Sequence, residues 1–157
     1  MTTIAVNREC MAADTRVTTG GSYYHSPKIF RIGDTLWGTA GDAFACLAVI
    51  EWLKTPKRSP FLLHRAFADH DRDSVLLVGL GPEGITLLTG WGTFERVLDD
   101  QIAIGSGSMA ALEAMRHGSD PETAVKRAMT HDEATGGQVQ VEYLLPPELL
   151  PKRRRKR

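Results

Sequence analysis

The chain has 157 residues, 42% apolar and 24% charged, the make-up of one ordinary soluble globular domain. Nineteen basic residues balance nineteen acidic ones, but six of the basic ones form the run Lys152-Arg153-Arg154-Arg155-Lys156-Arg157, so residues 1–151 carry a formal charge of −6. The body thus has no nucleic-acid footprint, no membrane-spanning apolar run and no signal-peptide pattern, and Cys10 and Cys46 alone make no disulfide framework; a cytoplasmic protein is expected.

The first forty residues read as strands. Residues 2–6 and 9–13 are short apolar or alternating runs divided by the turn Asn7-Arg8. Asp14-Thr15-Arg16 interrupts, and 17–19 and 22–24 flank Gly20-Gly21 as another hairpin. Residues 28–32 and 35–40 pair around Gly33-Asp34. The period changes at Gly41-Asp42: Ala43, Cys46, Leu47, Ile50 and Leu53 recur at helical spacing, with Asp42 placed to cap the helix.

Pro60 can open a short helix over 61–68, and the polar stretch 69–73 ends that layer. Residues 74–80 and 85–89 form a strongly apolar hairpin about Gly81-Pro82-Glu83-Gly84. Residues 90–100 predict an irregular crossing with one short strand at most, and 101–104 a further strand. The run 108–117 is helical, with Met109, Leu112 and Met115 spaced for a core face. Asp120-Pro121-Glu122 starts a second helix of that half, ending near Thr130. Gly136-Gly137 turns into a strand over 138–144, Pro146-Pro147 stop regular structure, and the basic tail is expected to be disordered. The order strands, helices, strands, helices, strand is not the alternation of a parallel doubly wound sheet. It predicts an α+β chain in which two antiparallel sheets stack face to face with helices outside.

Position 2 is a candidate for chemistry, although many ordinary proteins begin Met-Thr. Once the initiator Met1 is removed, Thr2 bears a hydroxyl and a free α-amine, and the amine can take the hydroxyl proton, so one residue supplies nucleophile and base. Such a site needs burial, a cation to hold down the amine pKa, and an oxyanion hole. Methionine removal alone would suffice, since Thr is small, so no propeptide is expected. The five histidines, His25, His64, His70, His117 and His131, show no metal-ligand spacing, and neither metal nor cofactor is expected.

Six stretches occur in one order: Thr2-Thr3-Ile4, Ala12-Ala13-Asp14-Thr15-Arg16-Val17-Thr18, Pro27-Lys28-Ile29, Gly38-Thr39-Ala40-Gly41-Asp42-Ala43, Ile104-Gly105-Ser106-Gly107-Ser108 and Asp132-Glu133-Ala134-Thr135-Gly136-Gly137. In these the chain resembles the N-terminal-nucleophile (Ntn) hydrolases, specifically the proteasome beta-subunit and the HslV-type peptidase. The resemblance covers roughly residues 2–144 and implies a four-layer αββα sandwich. It makes residues 1–145 a peptidase domain and 146–157 a Pro-bounded basic tail.

The resemblance implies a role for each matching residue. Thr2 is the nucleophile. Asp14 orients and compensates Lys28, whose ammonium lowers the pKa of the threonine amine; burial alone would neutralise that lysine. Gly41 supplies an oxyanion N–H just before a helix N-terminus. Ser106 hydrogen-bonds near the terminal amine, Asp132 completes that network, and Thr135 stands where serine is commoner. Thr18 helps hold an extended substrate through its backbone. Thr39 and Ala43 resemble pocket positions for the side chain before the cut bond, and their small size suits an apolar or medium-sized one. Arg16 is read as structural.

The chain departs from the family's pattern too. Asp14 follows the nucleophile, and Lys28 follows Asp14, sooner than is usual, so both early hairpins are expected to be trimmed. The resemblance implies a threonine-type endopeptidase that cuts unfolded polypeptides inside a homo-oligomeric ring, with two rings stacked and an ATP-dependent unfoldase as partner. No membrane partner is expected, and nucleic acid only as a weak polyanion contact through the tail. Two alternatives change the chemistry: a small-amide Ntn hydrolase, and an inactive ring or interaction protein whose basic tail binds a partner or polyanion.

Overall fold

The first turn is built by one side chain. Oδ1 of Asn7 accepts the N–H groups of Glu9 (2.8 Å) and Cys10 (2.9 Å), folding β1 (Thr3–Asn7) back on β2 (Cys10–Asp14). The computed structural model describes residues 2–66 and 72–149; Met1, residues 67–71 and the tail from 150 lie outside the described residues. The methionine removal, the end of the helix expected to reach 68, most of the polar stretch and the basic run therefore have no structural counterpart here.

Two antiparallel sheets carry the fold. In one, β10 (Gln101–Gly105), β1, β2 and β11 (Val139–Tyr143) lie in that order, so β1 is paired on both sides. In the other, β5 (Ile29–Ile32), β6 (Thr35–Gly41), β7 (Val75–Gly81), β8 (Gly84–Thr89) and β9 (Phe94–Val97) follow in sequence. The remaining hairpin, β3 (Arg16–Thr19) with β4 (Ser22–His25), forms a two-stranded sheet of its own.

Strand alternation decides what each face buries. Ile4, Val6, Met11 and Ala13 of the first sheet meet Leu36, Ala40, Val78, Leu80 and Ile85 of the second in an apolar middle layer, at whose edge Gln140 accepts from Lys28 N and Ile29 N and donates to Ile29 O. The sheets approach closely at Gly38, where a Cβ would lie 2.7 Å from Sδ of Met11 and 2.9 Å from Cδ1 of Ile4. On the first sheet's outer face Ala5 and Ala12 pack against Ala111 and Ala114 of α3 (Ser108–Arg116) and Ala124, Val125 and Ala128 of α4 (Pro121–Ala128). On the second sheet's outer face Trp37, Leu77 and Leu88 lie under α1 (Ala43–Lys54) and Leu63 of α2 (Pro60–Ala66). These are the four layers αββα.

The capping residues act as expected. Asp42 Oδ1 accepts from Ala45 N at 2.8 Å, and Asp120 Oδ1 from Thr123 N at 2.8 Å with Pro121 in the first turn. The faces of the helices differ from the reading. Met109 is 85% exposed, because six residues at about 100° each place it roughly 120° around the helix from buried Met115. In α1 the buried stripe is Ala45, Cys46, Val49, Ile50, Trp52 and Leu53, while Leu47 is exposed and Ala43 only half-buried. Regular structure also continues past Pro146: Pro147–Leu149 makes one 3-10 turn, closed by Leu149 N donating to Pro146 O.

Candidate active site

Thr2 leads directly into the doubly paired strand and is buried, at 6% exposure. Register brings Thr3 opposite Gly105, and Gly105 must be glycine: its φ is +95°, and a Cβ there would land on the Thr2 carbonyl oxygen.

Asp14 ends β2 with no exposed surface and Lys28 precedes β5, also buried. Lys28 Nζ lies 3.0 Å from both Asp14 oxygens and donates to Arg16 O at 2.6 Å. The carboxylate also accepts three main-chain N–H groups, from Thr3 (2.8 Å) at Oδ1 and from Gly136 (3.1 Å) and Arg16 (3.3 Å) at Oδ2. The buried charge is therefore fully partnered, as burial demands. Burial drives the Lys28 ammonium below the ordinary lysine pKa of 10.5, against the opposing pull of Asp14.

A second arm reaches the same residue from the other half of the chain. Ser106 Oγ donates to Asp132 Oδ2 at 2.5 Å and lies 3.4 Å from Thr2 O. Thr135 Oγ1 donates to the same Asp132 oxygen at 2.6 Å, Ala134 N donates to Oδ1 at 3.1 Å, and Thr135 Oγ1 lies 2.6 Å from Thr3 Oγ1. Burial raises the Asp132 carboxyl, but the bonds from Ser106, Thr135 and Ala134 outweigh it and hold the group below its ordinary value. Thr135 keeps the bond to Asp132 that a serine would make.

Thr2, Thr18, Lys28, Thr39, Gly41 and Ala43 line one cleft of about 340 Å³. Gly41 sits where β6 ends and the helix cap Asp42 begins, with φ +117°, and a Cβ there would collide with the Ser74 carbonyl. Thr39 N donates to Lys28 O at 3.0 Å, tying the cleft wall to the lysine's main chain. Ser106, Asp132 and Thr135 do not line the cleft; they stand behind Thr2. Arg16 is structural in its contacts, with Nη1 donating to Glu133 O at 3.1 Å and the guanidinium 5.0 Å from the Tyr23 ring centroid.

Two features escaped the sequence reading. Buried Cys46 lines the cleft as well, its thiol pushed up to about 12, by burial first and then by Asp42. Thr3, whose main chain serves one arm and whose hydroxyl meets the other, reads in sequence only as a strand threonine. The fold resembles known structures closely. Thiobacillus denitrificans BPH matches with TM-score 0.73 and 23% identity over 92% of this chain and 99% of that one, and the same protein in complex with epoxomicin with 0.71 and 23% over 92% and 100%. Eukaryotic HslV from Trypanosoma brucei matches with TM-score 0.66 and 23% identity over 90% and 98%. The chain has the proteasome beta-subunit/HslV fold.

No protein-family model matches this sequence, and no curated protein matches it significantly. At this level of identity the HslV-like fold is what is shared. The matched chains are covered almost end to end. Among the described residues no helix is long and apolar enough to cross a membrane.

Proposed function

We propose that this chain is a threonine-type endopeptidase that cleaves unfolded polypeptides, with Thr2, freed by removal of Met1, as nucleophile. The observation that carries this reading is the meeting of Thr2 with a buried, carboxylate-partnered lysine in one cleft. In the reaction the Thr2 hydroxyl gives its proton to the α-amine as it attacks the scissile carbonyl, and an acyl-enzyme ester replaces the peptide bond. The ammonium of Lys28 keeps the amine largely unprotonated, and the N–H of Gly41, at the N-terminal end of α1, receives the developing oxyanion. The amine then returns its proton to the leaving amide nitrogen, and water hydrolyses the ester. Ser106, Asp132 and Thr135 hold the amine, the Thr18 main chain holds the peptide as an added strand, and Thr39 and Ala43 shape the pocket before the cut bond.

The same reading places the enzyme in the cytoplasm as a homo-oligomeric ring, two rings face to face, fed by an ATP-dependent unfoldase. Enclosure suits a cleft whose pocket positions, Thr39 and Ala43, carry no charge to select substrates. The basic tail 152–157 would serve docking or weak polyanion contact rather than catalysis.

Mass spectrometry of the purified chain is expected to show Thr2 as the first residue. Thr2→Ala should fold and fail to cut a fluorogenic peptide, and a peptide electrophile should attach to Thr2 of the parent. An active Thr2→Ala chain would overturn the mechanism. Light scattering on the processed chain should report a ring; a monodisperse monomer at micromolar concentration would remove that part of the reading.

A further inference from the structure

Thr3 is fully buried, and each of its polar groups serves a different arm of the site. Its main-chain N–H donates to Asp14, the partner of Lys28, and its hydroxyl lies 2.6 Å from that of Thr135. The direction of that second bond follows from counting protons. Thr135 has one hydroxyl proton and donates it to Asp132, an acceptor when ionised, so between the two threonines Thr3 must be the donor. Ser106 also has one proton, and at 2.5 Å from Asp132 against 3.4 Å from Thr2 O it gives it to the carboxylate. Asp132 thus gathers both hydroxyl protons, and Thr3 joins that cluster through Thr135. The molecule keeps space for this arrangement: a Cβ on Gly107 would strike Thr3 Oγ1 and come within 3.1 Å of Thr135 Oγ1.

We propose that Thr3 is a positioning residue: its hydroxyl, by donating to Thr135, ties the Thr135–Asp132–Ser106 cluster to the strand that carries Thr2. Thr135 accepts from Thr3 while it donates to Asp132, and a hydroxyl that does both is a stronger donor than one that only donates. This role rests on Thr2 being the nucleophile.

The test uses the full processed chain and a fluorogenic peptide. Thr3→Val keeps the shape and removes the hydroxyl, and should lower kcat by about 3- to 10-fold, the factor associated with one lost hydrogen bond. KM should stay within about two-fold, since Thr3 does not line the cleft. Thr3→Ser should restore most of the loss. In a Thr135→Ala background Thr3→Val should add nothing, because the route passes through Thr135. Should valine disturb packing, as a thermal melt would reveal, Thr3→Ala carries the same expectation. Unchanged kcat in the hydroxyl-free variants, a serine variant as slow as the valine one, or an undiminished effect in the Thr135→Ala background overturns the proposal. Labelling by a peptide electrophile separates the two layers. Thr2 labelled in the parent with Thr3→Val fully active sinks this proposal alone, whereas no labelling at Thr2 sinks the nucleophile assignment and this role together.

Discussion

Lys28 Nζ stands 3.0 Å from each oxygen of Asp14, and neither side chain has more than 5% of its surface exposed. The two members of this pair are not equally dispensable. Removing Asp14 leaves a buried ammonium without its counter-charge, whereas removing Lys28 leaves a carboxylate that still accepts three main-chain N–H groups. Asp14→Ala should therefore cost about 3–5 kcal/mol in denaturant unfolding, as for a broken buried pair. Lys28→Met should cost less stability yet several orders of magnitude in peptide hydrolysis. Equal destabilisation by the two changes would contradict this division of roles.

The depressed pKa of Lys28 has a definite sign. Burial, the larger influence, lowers it from 10.5 in spite of Asp14, so the folded chain releases this proton at lower pH than the unfolded chain. Between the two values the unfolded state holds more protons, and the contribution of this group to stability rises with pH. The ammonium that the proposed mechanism sets beside the Thr2 amine is lost over the same window. The alkaline limb of the pH–rate profile should accordingly lie below 10.5, and a limb at or above the ordinary lysine value would refute the assignment.

Cys46 lines the cleft but is 2% exposed, and its thiol is raised to about 12. Only the thiolate reacts. Incubation of the native chain with iodoacetamide at pH 8 should leave peptide hydrolysis intact, with Cys46 modified only after unfolding in urea. Rapid inactivation with a label on Cys46 would point to a thiol-dependent enzyme instead.

Gly105 and Gly84 offer a matched comparison. Both have positive φ, +95° and +112°, but a Cβ on Gly105 meets Thr2 O whereas one on Gly84 meets nothing within 4 Å. Each alanine variant should lose more than about 1 kcal/mol from backbone strain. Gly105→Ala alone should also lose activity, because the added carbon displaces Thr2, the residue proposed as nucleophile. Similar kinetic effects from the two substitutions would mean that Thr2 does not depend on this contact.

Much of the framework was legible in the residues. Turn glycines, the caps Asp42 and Asp120 and the apolar alternation of 74–80 and 85–89 act over a few residues, and the hairpins and helix starts follow from them. Met109 was misjudged because steps of three drift around a helix, so equal spacing over two turns does not keep one face. The separation of the β3–β4 hairpin into its own sheet depends on which edges meet, and no local pattern encodes that. Asp14, Lys28, Gly41 and Ser106 came into view through ordered resemblance rather than spacing, since the fold joins segments over 100 residues apart. Thr3 and Cys46 stayed hidden for a different reason. A threonine in a strand and a cysteine in a helix have ordinary local roles, and only the tertiary neighbours reveal more.

The doubly paired first strand makes the two sides of the cleft unequal in how they move. Thr3–Asn7 has partners at five positions of β10 and three of β2, so its amides can exchange with solvent only when the central sheet opens. Val17, Thr18 and Thr19 on the facing wall belong to a two-stranded hairpin, half-buried to exposed, which can open by itself. One wall is an anvil and the other yields. Accommodation of different peptides therefore falls on the hairpin, while the residue that would form the ester keeps one position whatever lies against it.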